Sequence, residues 1–332
     1  MSERKKQILI IQTAFIGDVI LTTCLLEFFK STDPGCEIDF VLRKSNASLL
    51  RENPAVRKVI AWDKSQPKVK SLAGVIKEIR RTQYDLVVNT HRFASTGIMT
   101  LLAKARYKVG YDKNPLSLFY SKRVAHQFGK GIHEVDRLHA LVAHLGGRSF
   151  KPKLFLPDTV TEQVKAYQNG PYRVIAPLSV WFTKQYPADL WVDFLNNSAF
   201  SGHTYMVGGP DDFEEVEQIR EASTNKAVTN LCGKLSLLAS AALMKDAQMN
   251  YVNDSGPMHL CSAVNAPVKA IYCSTTPDLG FGPLSDQSEV VETKEALDCR
   301  PCGIHGKTTC PKGHFKCAYE IDQSRLEIQP AI

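Results

Sequence analysis

The chain has 332 residues, of which 44% are hydrophobic and 23% charged. That balance fits a globular enzyme, and the length predicts two domains of about 150 residues each. No stretch approaches the ~18 apolar residues of a membrane span. The start, Arg4-Lys5-Lys6 and then Ile8 onward, is broken by Gln12 and Asp18 and shows no small-residue cleavage pattern, so it reads as a first strand in a cytoplasmic protein rather than a signal peptide. The net charge of +7 is uneven: residues 1–150 hold 25 Lys and Arg against 13 Asp and Glu, and the remainder 16 against 21. A basic first half suits an acidic partner such as a phosphorylated glycolipid or an anionic membrane surface, or is merely a solvated face; with no recognisable nucleic-acid-binding motif or basic helix, no nucleic-acid partner is expected.

Apolar runs of strand length alternate with helical spacing along the whole chain, which predicts parallel sheets with helices on both faces. In the first half the predicted strands are 7–11, 37–42, 58–61, 86–89 and 108–110. Helical patterns fall at 19–30, 47–51, 69–82, 96–104 and 136–145, the last stopped by Gly146-Gly147. Around Phe155-Leu-Pro157 to Gly170-Pro171 the pattern restarts, so the domains are predicted as 1–157 and 158–332. The second half repeats the rhythm, with strands at 172–176, 204–207, 249–252 and 268–272 and helices at 188–196, 214–222, 235–244 and 257–264. Neither first turn carries Gly-x-Gly-x-x-Gly, and no Walker A sequence occurs, which disfavours dinucleotide oxidoreductases and P-loop enzymes. The expected fold class is α/β, with two Rossmann-like doubly wound domains facing each other across a cleft.

Three segments follow strands at positions where open sheets bind ligands. In Ile8-Leu-Ile-Ile-Gln-Thr-Ala-Phe-Ile-Gly17-Asp18 a strand leads through a short turn into a helix whose buried face includes Val19, Ile20, Thr23, Cys24 and Phe28. Asp18 then lies at the helix start, either as a cap or as a carboxylate kept ionised by the helix dipole and available as a base. In Tyr251-Val-Asn253-Asp254-Ser255-Gly256-Pro257-Met258-His259, Pro257 suits a first helical position and the N–H groups near Ser255 and Gly256 suit a diphosphate. Asp254 is placed to hold a sugar hydroxyl or to cap the turn. His259, one turn on, meets a phosphate or packs. Between them, Thr183 and Lys184 offer a hydroxyl and a cation before a helix opened by Pro187, a pair suited to phosphate oxygens. The turn Val207-Gly-Gly-Pro-Asp211-Asp212 would let a nucleoside approach the backbone. Arg92, just past the 86–89 strand, and Arg43, past 37–42, are candidates to grip an acidic acceptor, against the alternative that both form internal ion pairs.

These phrases occur, in order, as in the lipopolysaccharide heptosyltransferases of glycosyltransferase family 9, which the chain resembles over nearly its whole length. The resemblance rests on Ile16-Gly17-Asp18-Val19, Thr183-Lys184 before Pro187, Asn253-Asp254-Ser255-Gly256-Pro257-Met258-His259, and the ending Cys299-Arg-Pro-Cys302 to Gly313-His-Phe-Lys-Cys317. It implies a GT-B architecture with the acceptor on the first domain and an ADP-sugar donor on the second, and inverting transfer without an Asp-x-Asp metal motif. It implies Asp18 as general base, Thr183 and Lys184 as diphosphate contacts, and Asp254, Ser255, Gly256, Met258 and His259 in the donor site. The acceptor would be an acidic lipid-linked oligosaccharide met at the cytoplasmic face of the inner membrane. Leu178-Ser179, Tyr186 and Thr23-Cys24 depart from the commoner Gly-Ser, Trp and Thr-Pro, which bears on the sugar rather than the fold. A non-catalytic nucleotide- or glycan-binding protein on the same scaffold is the alternative.

Nine cysteines are present, and Cys299, Cys302, Cys310 and Cys317 cluster near the end with His305 and His314 between them. The residue types are those of a zinc site, but the spacing is not that of a standard finger. Zinc, reduced thiols and a local disulfide all remain open. The sequence calls for no cofactor.

Overall fold

The computed structural model describes residues 4–129 and 131–328. The chain folds as two units, Met1–Phe155 and Leu156–Ile332. The first runs β1 (Gln7–Ile11), α1 (Ile16–Thr32), β2 (Glu37–Arg43), β3 (Lys58–Trp62), α2 (Lys68–Ile79), β4 (Tyr84–Asn89), α3 (Ala94–Leu102), β5 (Ala105–Tyr111), β6 (Lys122–Val124) and α4 (Glu134–Val142). Its six strands are ordered β3-β2-β1-β4-β5-β6, and every pairing is parallel. The second runs α5 (Asp158–Val164), β7 (Tyr172–Ala176), α6 (Ala188–Asn197), β8 (His203–Met206), α7 (Phe213–Ala222), β9 (Val228–Asn230), α8 (Leu237–Lys245), β10 (Asn250–Asn253), α9 (Gly256–Val264), β11 (Val268–Tyr272), β12 (Ser288–Glu292) and α10 (Lys316–Tyr319). Its order, β12-β11-β10-β7-β8-β9, also wholly parallel, repeats the first topology.

Apolar stretches mark the central strands, Ile8–Ile11 in β1, Leu86–Val88 in β4 and Val174–Ala176 in β7, because both faces of a parallel sheet are covered by helices. Ile8, Leu9, Ile10 and Ile11 of β1 are fully buried, and so are Val19, Ile20 and Leu21 of α1. In the second unit Trp191 and Phe194 of α6 meet edge to face and Phe194 packs in turn on Tyr251 of β10, closing that core. α9 stops at Asn265, which takes the left-handed conformation at φ 54°, as a short amide side chain tolerates.

Three strands escape the sequence pattern: β6, β9 and β12. All three lie at sheet edges. Edge strands are commonly short and polar, which protects them from pairing with other chains, so Lys-Arg-Val, Val-Thr-Asn and Ser-Glu-Val-Val-Glu show too little apolar signal. The 47–51 helix is instead a 3-10 turn over Lys44–Leu49.

What positions the site is topology. In each sheet the chain reverses its direction of winding at one pair of neighbouring strands, β1/β4 in the first unit and β7/β10 in the second. A crevice opens there beyond the carboxyl ends, and it is where doubly wound sheets bind ligands. No helix among the described residues is long and apolar enough to cross a membrane.

Candidate active site

In the first unit the turn after β1 and the loop after β4 meet at the switch point, and β2 and β3 add their own ends. Thr13 is the hub. Its carbonyl accepts from Arg43 Nε at 2.8 Å and from Lys64 Nζ at 2.8 Å, and its Oγ1 lies 3.2 Å from His91 Nδ1. Arg43 also lies over the Phe15 ring and Lys64 over Trp62. Neither Arg43 nor Arg92 forms an ion pair among the described residues, so the internal-pair alternative is not what the fold adopts. The excess positive charge has a consequence. Burial, reinforced by Lys64, Arg43 and Arg92, pushes the His91 imidazole down to about 4, and burial together with Arg43 pushes Lys64 down to about 8. Positive charge that pushes His91 and Lys64 toward their neutral forms marks a site that favours an added anion.

Asp18 is the third residue of α1. Its Oδ2 accepts the Phe15 N–H at 3.1 Å, closing the helix start. Apart from its own N–H and that of Phe15, no group among the described residues hydrogen-bonds the carboxylate, so capping does not consume it. Loss of solvent raises the Asp18 carboxyl, opposed by the Phe15 N–H and by the charges of Arg43 and Arg137. Packed against α1, α4 opens with a buried ion pair: Arg137 meets Glu134 through Nε and Nη2, both at 2.7 Å. Burial pushes Glu134 up to about 7, against Arg137 and with the help of Asp18. Nothing in the sequence pattern marks Glu134, Arg137, Lys64 or Thr13. An acidic residue and an Arg three apart at a helix start usually form a surface pair, and their spacing does not reveal that these two are buried.

In the second unit the loop after β7 and the turn after β10 meet at the other switch point. Asn253 ties them: its Nδ2 donates to the Pro177 carbonyl at 2.6 Å and its Oδ1 accepts the Tyr186 N–H at 2.9 Å. Lys184 Nζ lies 2.7 Å from Asp254 Oδ2, with side chains 14% and 9% exposed, and Thr275, just past the end of β11, donates to the same oxygen at 2.7 Å. Ser255 is the N-cap of α9 and Gly256 its first residue. Neither backbone N–H donates to another group among the described residues. Lys184, Asp254, Ser255 and Gly256 are thus brought together.

The other donor-site candidates lie deeper. Thr183 is 1% exposed, and its hydroxyl accepts from Ser274 at 3.0 Å and from the Lys307 N–H at 2.8 Å. It anchors the loop that carries Lys184. Met258 is 0% exposed, and its sulfur accepts from the Tyr272 hydroxyl at 3.2 Å. His259 is buried with its ring near Phe281. At Gly208 the close approach is internal: a Cβ there would fall 2.7 Å from Asp212 Oδ2, the oxygen that accepts the Gly209 N–H.

The cysteine segment is part of this wall. Lys307 pairs with Thr183 through both backbone groups, and the Cys302 N–H donates to the Ser274 carbonyl at 2.7 Å. Gly306, at φ +78°, sits where a Cβ would meet the Lys184 stem at 2.9 Å, so only glycine fits. Arg300 fastens the segment through the Cys273 and Thr275 carbonyls and Glu292. Cys299, Cys302, Cys310 and Cys317 line one pocket. All are free thiols, and no three His, Cys, Asp or Glu side chains among the described residues are gathered as metal ligands would be. Partial burial raises the Cys310 thiol, but the N–H groups of Phe315, Lys312, Gly313 and His314 outweigh it and bring it below the ordinary thiol range.

A profile of glycosyltransferase family 9 (heptosyltransferase) matches residues 72–310. That stretch includes Arg92 and every second-unit candidate for the donor site, but not Asp18 or Arg43. Lipopolysaccharide heptosyltransferase 3 of Escherichia coli is 26% identical over 281 residues, covering 79% of this chain and 82% of that protein. The glycosyl transferase family 9 structure from Veillonella parvula superposes with a TM-score of 0.77 at 24% identity, over 88% of this chain and 87% of that one. The ADP-heptose lipopolysaccharide heptosyltransferase II of E. coli superposes with 0.73 at 19%, over 89% and 95%. With two Rossmann-ordered sheets of the GT-B fold and a profile match over most of its length, the chain belongs to glycosyltransferase family 9, the heptosyltransferases, and is a transferase enzyme.

Proposed function

We propose that the protein transfers a heptose from ADP-heptose to an acidic inner-core sugar of lipopolysaccharide, with inversion at the anomeric carbon. The donor assignment is supported by the E. coli relative named for ADP-heptose, and the acceptor by the relative named lipopolysaccharide heptosyltransferase 3. The observation that carries the chemistry is Asp18, held at the switch point by backbone N–H groups alone, with no side chain bonded to its carboxylate, under the charge of Arg43.

In this reading Arg43, Lys64 and Arg92 receive the acceptor's acidic groups, and Asp18 takes the proton of the attacking hydroxyl. The acceptor oxygen bonds to the anomeric carbon as the bond to the diphosphate breaks on the opposite face, and ADP leaves. In the second unit Lys184 and the N–H groups of Ser255 and Gly256 take the charge that grows on the diphosphate. Asp254, relieved of Lys184, is then free to accept from a sugar hydroxyl.

The test is a screen of ADP-, UDP- and GDP-sugars against lipid-A-core acceptors, read by mass spectrometry, with the anomeric configuration of the product read by NMR. Addition of one heptose from the ADP donor, with the opposite anomeric configuration, is the expected result. Preference for a UDP- or GDP-sugar, or retention of configuration, overturns the proposal.

A further inference from the structure

The connection from β5 to β6 inverts the usual burial pattern. In Asn114-Pro-Leu-Ser-Leu-Phe-Tyr120, the polar Asn114 and Ser117 are buried, while Leu118 is 74% and Phe119 64% exposed. A single exposed leucine means little. Two adjacent large apolar side chains pushed outward by a rigid turn mean more. The turn is rigid: Asn114 Nδ2 donates to the His91 and Phe93 carbonyls, both at 3.1 Å, Ser117 Oγ donates to the Asp112 carbonyl at 2.9 Å, and the buried Tyr120 hydroxyl accepts from Asn89 at 3.0 Å. The same bonds staple this turn to the loop that carries Arg92 and the exposed Phe93. Arg92, next to Phe93, and Lys113 and Arg123, before and after the turn in the chain, are exposed, and none forms an ion pair among the described residues.

We infer that Phe93, Leu118 and Phe119, rimmed by Arg92, Lys113 and Arg123, form an edge that docks the first domain on an anionic lipid surface. Apolar side chains at the tip suit the acyl boundary, and cations around them suit the headgroups. Charge complementarity favours a lipid surface over a second copy of this chain, whose matching patch would bring the same cations face to face. The inference rests on the proposed lipid-linked acceptor, since the edge is joined to the acceptor-side loop and would hold Arg92 near the surface where such an acceptor is embedded.

Flotation of the full chain with vesicles of phosphatidylcholine alone, or with one-third phosphatidylglycerol, tests it. Wild type should bind the anionic vesicles and lose them as salt rises. Leu118→Ser/Phe119→Ser should weaken that binding at least tenfold, with an unchanged melting temperature, because both side chains are solvent-facing. Lys113→Glu/Arg123→Glu should weaken it similarly. Transfer to a delipidated, water-soluble core oligosaccharide should be unaffected by either double variant. Equal binding of wild type and both variants overturns the edge, and so does a wild-type dimer in light scattering that Leu118→Ser/Phe119→Ser converts to monomer. Vesicle binding as expected, with no heptose transfer to any core acceptor, would leave the edge standing and remove the functional reading instead.

Discussion

The Lys184–Asp254 pair makes the sharpest prediction, because the same cation is assigned two partners at different times. Without ligand, Lys184 Nζ neutralises Asp254 at 2.7 Å with both side chains largely out of solvent. Removing one member of a buried pair costs about 3–5 kcal/mol. Here Asp254 keeps its bond from Thr275 and some contact with water, so Lys184→Ala should cost nearer ~2–3 kcal/mol, or roughly 5–10 °C in the melting of a unit this size. Asp254→Asn retains an acceptor for Thr275 and removes the stranded charge, so in that background Lys184→Ala should cost under ~1 kcal/mol, a coupling of at least ~1 kcal/mol. Calorimetry with ADP reads the other partner. Lys184→Ala should weaken ADP about 10- to 100-fold in either background, the value of a charge-assisted bond to phosphate. A phosphate-binding loop lysine read from sequence alone predicts a larger loss of binding than of stability; the ion pair makes both substantial. A Lys184→Ala protein that melts like wild type, or that binds ADP with unchanged affinity, would refute this double role of Lys184.

Asp18→Asn keeps an oxygen for the Phe15 N–H but cannot accept a proton at neutral pH, so transfer should fall about 10²–10⁴-fold with stability and ADP affinity retained; near-full turnover would make Asp18 a cap alone. Arg92→Ala should raise the acceptor KM and leave the donor KM unchanged, and the reverse pattern removes Arg92 from the acceptor side. Glu134, raised to about 7 in the fold against about 4.3 in an unfolded chain, keeps its proton where the unfolded chain has lost it. Stability should therefore fall as pH rises from about 4.5 to 7, by ~3 kcal/mol, and urea melts of Glu134→Gln should lack that component; parallel curves for the two proteins would refute the burial argument. Cys310, its thiol held low by four N–H groups, should be the first of the clustered cysteines alkylated by iodoacetamide near pH 7, as peptide mapping would show; earlier labelling of Cys299 or Cys302 contradicts this.

What the sequence disclosed follows from where signals are local. β1, β7 and β10 are central strands followed by turn residues, and a parallel sheet covered on both faces leaves apolar stretches such as Ile8–Ile11 and Val174–Ala176 that can be read directly. Asp18, Lys184 and Asp254 stand out because each is a charged residue a short way past such a run. Thr183 and Met258 sit in equally plain phrases, yet the fold turns both inward, and a phrase alone does not say which of its side chains face solvent. Thr183 is buried where Ser274 and Lys307, 91 and 124 residues later, return to it. Glu134 and Arg137 show the same limit from the other side. Their spacing is that of a surface helix pair, and only the packing of α4 on α1 removes water from them and couples them to Asp18. Long-range burial is also what converts an ordinary Gly306 into a position where only glycine lets Lys184 pass. The chemistry-bearing residues were therefore legible as candidates. Their charges, partners and accessibility were not, because each is set by an element distant in the chain.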